Sequence, residues 1–456
     1  MAITAHDAAL APRRSAQGAA RGRGKLAHTA IGVLFLVNVF LIFAVSSGML
    51  GVLGINHAGV TGAMASKIHP ATYLAFFTLA LLMAARRNPA SFFATLVTRQ
   101  PGTLVFLLTI LMVAAYIVLD GRKGIATIFD TYLLAVAVAL IAAELGARDL
   151  VRVERLIHVL LAANAGLALL EYAIGYRFFP FRFEDVELAW DTRSTGLSGH
   201  PLENAQLTSI YIMVLLAGGG ASMPAALRPA AVLLQLAAMV PFGGRTAMLL
   251  TLAMLMAWLV PRVVSLLRGG RMSLVAFASV AVLVPVMVFV VAVIAAGGFF
   301  DVLLVRFADD SGSAKTRIEM FEIFSQLSAH DMLVGADPEL VDSIRRSLGL
   351  ELGIENPVVR LVLYQGAIFT AFLIAGLTLF VTEIARRLRP GYGMALIAFL
   401  VIINSYESIS NKTAGLAQFI VLLIVMFHRS EPVGTRGAGQ TRYSALRSAD
   451  ARSGIA

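Results

Sequence analysis

The sequence predicts an all-α polytopic membrane protein of about 12 transmembrane helices, with one large external loop between the ninth and tenth. Three observations predict it. The chain is 58% hydrophobic and only 14% charged, with a mean hydropathy of +0.81, whereas a soluble domain carries about a quarter charged residues to stay dissolved. The apolar residues fall in long uninterrupted runs, which suit a solvent that cannot satisfy backbone hydrogen bonds and so favours helices; the short alternating segments of a closed β-barrel are absent. Finally, basic clusters recur on every second connector, as they do when positive charge is retained on the cytoplasmic side.

Taken in order, residues 1–29 form a basic tail with Arg13, Arg14, Arg21, Arg23 and Lys25 ahead of the first apolar run. That run is long enough to span and follows no convincing cleavage site, so it reads as a signal anchor. Spans are expected at Ile31–Gly48, Tyr73–Ala85, Leu104–Leu119, Thr127–Ala143, Ile157–Gly175, Leu207–Gly218, Ala230–Pro241, Thr246–Leu259, Leu274–Gly297, Val359–Ile384, Tyr392–Ile403 and Leu416–Phe427. A further run, Gly51–Ser66, contains Asn56, His57 and several Gly and Ser residues and reads as an external loop or re-entrant piece. Counted so, Arg86, Arg87 and Arg99; Arg148, Arg152 and Arg155; Arg228; Arg262, Arg268 and Arg271; and Arg386, Arg387 and Arg389 all share the cytoplasmic side with both tails. Were Gly51–Ser66 to cross, every later cluster would change sides, against the positive-inside rule. The domain plan is a cytoplasmic tail over 1–29, a membrane domain over 30–428 that includes the external loop 299–357, and a disordered cytoplasmic tail over 429–456.

Two external loops are substantial, about Tyr176 to Ala205 and about Phe299 to Pro357. The second contains amphipathic stretches at Thr316 to Leu327 and Pro338 to Leu348, expected to be helices against the membrane face or over a cavity. The absence of cysteine excludes disulfides and Cys-based metal sites, and the net charge of +10 belongs to the cytoplasmic connectors, with no nucleic-acid partner expected. Asp130 and Glu171 fall near external span ends, where headgroups or water make a charge cheap. The charge of interest therefore lies on the outer face, which favours work on a substrate anchored at the membrane surface.

The stretch from Arg193 to Ala205 combines an arginine, Gly196 and Gly199, His200 and Glu203 at the mouth of a span. Arg193 can grip phosphate oxygens through its planar fork, or bind lipid headgroups. His200 reads more as a cap on the following helix than as a base, and Glu203 also suits a helix start. Gly243 and Gly244 allow a tight turn that leaves Arg245 at the external membrane edge, as a second anion clamp or a snorkelling side chain. Arg317 opens the first amphipathic stretch and adds a third positive group, with Lys315, Arg345 and Arg346 equally compatible by spacing. Glu355 and Asn356 stand directly before a long span. Glu355 suits a general base, since a partly desolvated carboxylate can accept a hydroxyl proton, or it charge-matches the helix start.

In their order these residues resemble the O-antigen ligase and Wzy-type polymerase superfamily of bacterial polytopic glycosyltransferases. The resemblance rests on Arg193, Gly196, His200 and Pro201; on Gly243, Gly244, Arg245 and Thr246; on Arg317 with Gly335; and on Glu355, Asn356, Tyr364, Gln365 and Gly366. It implies a metal-independent, cofactor-free transfer from undecaprenyl-diphosphate-linked oligosaccharide donors to similarly linked acceptors at the periplasmic face of the inner membrane. Flippase and chain-length or export partners and membrane lipids are its implied company. By motif match, diphosphate binding falls on Arg193, Arg245 and Arg317, proton abstraction on Glu355, and further substrate contacts on His200, Glu203 and Asn356. Ligases of the superfamily carry a His-Asn pair where this chain has Glu355 and Asn356, so a repeat-unit polymerase is expected ahead of a ligase. A flippase or solute transporter is the alternative of a different class.

Overall fold

A computed structural model describes residues 27–59, 62–86, 88, 90–122, 124–183, 186–188, 191–269, 319–350, 353–405 and 409–429, with scattered positions between 270 and 318. Both tails, most of the expected ninth span Leu274–Gly297, and Lys315 and Arg317 lie outside these residues.

The described chain is all-α apart from one two-residue strand pair. Among the described residues, six helices are long and apolar enough to cross a membrane: α1 (Ala27–Ala44), α5 (Pro101–Leu119), α6 (Ile125–Ala142), α7 (Ala147–Ile174), α10 (Arg245–Leu267) and α13 (Pro357–Arg387). Shorter apolar helices are α3 (Pro70–Ala85), α9 (Arg228–Phe242), α14 (Tyr392–Ile402) and α15 (Gly415–Met426). A more polar helix, α8 (Pro201–Leu216), begins before the expected sixth span because Pro201, Glu203 and Asn204 are already helical. The segment Gly51–Ser66 forms no spanning helix: the chain turns through α2 (Ser47–Val52) and a short 3-10 turn (Met64–Lys67). Hydropathy did not predict α4 (Ala90–Arg99), an amphipathic helix that buries Phe92 and Leu96, with the Arg86 guanidinium over the Phe92 ring.

Burial sorts the helices into core and periphery. Every residue from Leu134 to Ala142 on α6 and from Leu416 to Leu423 on α15 is buried, as expected of helices apolar all round. Helix α10 is peripheral and exposes Leu249 (56%), Leu252 (56%), Met256 (48%) and Val260 (48%) as one stripe. Apolar side chains exposed in such continuous rows, also present on α5 and α13, suit contact with lipid. The chain is therefore a multi-pass membrane protein.

Helix ends gather in two groups. At one end Arg86 pairs with Glu144, Arg387 bonds the Arg99 carbonyl, and Arg389 bonds the carbonyls of Gly218 and Met426. Glu383 of α13 accepts from the Gly102 amide at 2.6 Å and the Thr103 hydroxyl at 2.9 Å, satisfying donors at the start of α5 that have no intrahelical partner. At the other end lie the described residues of the segments 44–70, 119–125, 175–201, 319–357 and 403–415. There the late loop folds on a small core of its own, with Met320, Ile323, Leu327, Val341, Ile344, Leu350 and Leu363 buried together. Its helices are 319–322, α11 (Ala329–Val334) and α12 (Pro338–Ser347).

The loop is fastened to the bundle at a break in α13. Gly366 has φ 84° and ψ 157°, a region open essentially to glycine alone. The end of α11 is seated against it: a Cβ at Gly366 would come within 2.4 Å of the Leu333 carbonyl oxygen. Arg122, just beyond α5, donates to the carbonyls of Ala336 (3.0 Å), Tyr364 (2.8 Å) and Gly335 (2.9 Å), while Tyr116 donates to Val334.

Candidate functional site

Between the folded loop and the helix ends lies a cavity of about 480 Å³. Its floor is the start of α8, and its roof is α12 with the first turns of α13. The walls come from Arg122, from Phe181 and Arg182, from the loop carrying Arg193, and from residues 410–413.

The Arg193 loop is held from below by buried polar groups. Glu171 of α7, 2% exposed, accepts from the backbone amides of Phe178 (3.1 Å), Thr195 (2.8 Å) and Gly196 (2.9 Å). Asn164 accepts from the Leu197 amide at 2.8 Å and donates to Asn204, which in turn donates to the Thr195 carbonyl. Gly196 takes φ 49° over this platform, and a Cβ there would meet Asn164 Oδ1 at 2.5 Å. Neither Glu171 nor Asp130, also 2% exposed, is the water-eased span-end charge expected from sequence. Both are enclosed, because backbone donors replace the water they lose.

Four expected site residues line the cavity: Arg193, His200, Glu203 and Glu355. Asp191 holds Arg193 in a fork, with Nε–Oδ1 at 2.9 Å and Nη2–Oδ2 at 2.6 Å. Burial would raise the Asp191 carboxyl, but the hydrogen bonds and charge of Arg193 bring it below the ordinary carboxylate range. His200 Nδ1 accepts the Leu202 amide at 3.2 Å, so the histidine caps α8. Burial first, then the neighbouring Arg193 charge, lowers His200 to about 3, leaving it neutral and a weak base. Glu203 Oε1 accepts from the Thr413 hydroxyl at 2.8 Å.

The other expected residues stand elsewhere. Asn356 does not line the cavity; its Oδ1 caps α13 by accepting the amides of Val358 (2.9 Å) and Val359 (3.1 Å). Arg245 opens α10, beside α8, and is likewise not among the lining residues, because the Gly243–Gly244 turn carries it one helix away. Arg317 lies outside the described residues.

Sequence reasoning missed Arg122, Arg182, Asp342 and Lys412, all of which line the cavity. Tyr364 and Gln365, quoted above only as flanking motif, line it too, as does Arg360, and Tyr364 donates to Asp342 at 2.6 Å. Six cationic side chains (Arg122, Arg182, Arg193, Arg345, Arg360 and Lys412) thus surround three carboxylates (Glu203, Asp342 and Glu355). Such a surplus of fixed donors in a walled space suits a multiply charged anion carrying neutral polar groups.

A smaller cavity of about 50 Å³ adjoins it, sharing Ser47, Ser198, Glu203, Lys412 and Thr413, and reaches His57, His69 and Asp130. Asp130 lies in a π-helical segment, Ile128–Leu133, and accepts from the His69 amide at 2.9 Å and the Thr72 hydroxyl at 2.7 Å. Burial is the main cause that lowers both histidines, His69 to about 4. Lys412 donates to the carbonyls of His57 and Lys67. The cluster ties the segment 45–69 to α6 and to the loop before α15.

Comparison of the chain with protein-family models, with curated proteins and with solved structures yields no match.

Proposed function

We propose that this protein polymerises undecaprenyl-diphosphate-linked oligosaccharide repeats for an exopolysaccharide, capsule or O-antigen, as the superfamily it resembles would. One observation carries the reading: a cation-rich cavity at one end of a membrane bundle, roofed by a folded loop and bearing both Arg193 and Glu355. In the proposed topology twelve spans cross the bacterial inner membrane, both termini are cytoplasmic and the cavity faces the periplasm. The basic residues at the opposite helix ends support that orientation. An acceptor hydroxyl oxygen bonds to the anomeric carbon of the donor sugar as its bond to the diphosphate oxygen breaks. The electron pair leaves with undecaprenyl diphosphate, and the hydroxyl proton passes to the Glu355 carboxylate. The guanidinium groups stabilise the charge that grows on the diphosphate, and the carboxylate acts as general base.

The test supplies purified protein with a defined undecaprenyl-diphosphate repeat and follows product length. A ladder of added repeats is expected, and Glu355→Gln should slow it by about two to four orders of magnitude. No elongation by correctly folded protein sinks the polymerase reading. In cells, long chains left unattached after gene deletion would point instead to a ligase that transfers glycan to a lipid or protein acceptor. A flippase or solute carrier is the second reading, favoured by the enclosed cluster of Asp130, His57, His69 and Lys412, since buried ionisable groups mark transport and proton pathways. Movement of labelled lipid-linked repeat across proteoliposomes without elongation would select it.

A further inference from the structure

Three of the cavity's cations are already engaged with protein acceptors. Arg122 spends its guanidinium on three roof carbonyls and on Asp120. Arg193 is forked onto Asp191, and Lys412 reaches the carbonyls of His57 and Lys67. Arg182 differs. It lines the same cavity, and its Nε is buried without a hydrogen-bond partner; the Nε of Arg345 is too, but that guanidinium is held by the Leu350 carbonyl and by Asp342. A buried Nε–H without an acceptor, on a guanidinium that is otherwise half-buried, is a costly arrangement that an incoming anion would relieve.

The position of Arg182 is built rather than incidental. Its backbone is in β1 (Arg182–Phe183), paired antiparallel with β2 (Val186–Glu187), with Arg182 opposite Glu187. The preceding residue, Phe181, meets the His200 ring edge-on at 4.2 Å, which ties the strand to the start of α8. On the other side α2 presents Gly51, where even a Cβ would lie 3.4 Å from Arg182 Nη1. Strand, helix cap and α2 thus converge on a single guanidinium.

We propose that Arg182, which no motif of the sequence singled out, is the cavity's principal anion-contacting residue, taking a phosphate or diphosphate group. Arg193 is then a positioning residue that shapes the loop and adds to the field. The assignment of a diphosphate rests on the proposed function; the division of labour between the arginines rests on their hydrogen bonds. A guanidinium presents two parallel donors to a phosphate, which an ammonium cannot copy.

The test measures equilibrium binding of radiolabelled farnesyl diphosphate, with inorganic pyrophosphate as competitor, to the full chain in detergent. Arg182→Ala and Arg182→Lys are compared with wild type, and melting temperatures without ligand report folding. Wild-type binding that weakens about tenfold to a hundredfold in Arg182→Ala, with partial recovery in Arg182→Lys and unchanged melting, supports the proposal. Competition by pyrophosphate identifies a site open to the free anion, whereas its failure identifies a lipid-borne headgroup; either agrees with the proposal when Arg182→Ala shows the loss. Equal binding by wild type and both variants overturns the role of Arg182 while leaving the diphosphate reading intact. Absence of binding to wild type overturns both.

Discussion

Replacing Arg122 by alanine should loosen the roof of the cavity while leaving the helix core folded. The side chain is 11% exposed and donates three hydrogen bonds to the carbonyls of Gly335, Ala336 and Tyr364. Hydrogen bonds from a charged donor contribute about 1.5–3 kcal/mol each, and three on one group are less than additive. A local loss of about 3 kcal/mol is therefore expected, equivalent to roughly a hundredfold more frequent opening. Lysine should restore little, because one ammonium cannot serve three carbonyls at the fork geometry of arginine. Hydrogen exchange reads the effect directly: the Gly335 amide is bonded to Asp331 and the Ala336 amide to Leu363. Both should exchange about a hundredfold faster in Arg122→Ala, while amides of α6 and α15 keep wild-type protection. Unchanged protection at Gly335 and Ala336 would refute the latch, and equal losses in roof and core would show that Arg122 supports the whole bundle.

Two further outcomes follow from single residues. Gly366→Ala adds a Cβ within 2.4 Å of backbone atoms at φ 84°, and should lower melting markedly by displacing α11, at a cost of about 3 kcal/mol or more; a wild-type melting temperature would contradict the packing at the break. His200 is held neutral, its folded pKa of about 3 lying below the ordinary 6.5. Its contribution is therefore present above pH 6.5 and lost as pH falls from 6.5 towards 3. His200→Asn, which keeps a capping side chain, should flatten the decline of melting temperature over that window, and an unaltered pH profile would show that His200 carries none of it.

Several features were legible because they depend on sums along the chain. Hydropathy and the alternation of basic clusters located the long helices and set aside Gly51–Ser66, which folds as a short helix and loop. Local patterning also found the amphipathic pieces of the late loop where they are described, residues 319–327 and Pro338–Ser347, and the cap reading of His200 agrees with its Nδ1 bond to the Leu202 amide. Patterning failed where a residue's role depends on a distant partner. Asp130 and Glu171 read as span-end charges, yet each is enclosed by donors from other segments: His69 and Thr72 for Asp130, and Phe178, Thr195 and Gly196 for Glu171. Asn356 looked like a substrate contact beside Glu355, but its carbonyl oxygen is consumed at the start of α13.

By itself the sequence assigned this chain to a membrane, since many long apolar runs with few charges match the length and solvent that spanning helices need. It also determined which residue types gather at the mouths of those helices. Only the tertiary structure decided which of them meet. Arg193, His200, Glu203 and Glu355 share a cavity with Arg122, Arg182 and Lys412, while Arg245 stands one helix away. The physical reason is that helix insertion is decided segment by segment by transfer free energy. The convergence of side chains is decided by close packing between segments remote in the chain: α5 against α13, the Gly366 break against α11, and the β1–β2 hairpin against α2.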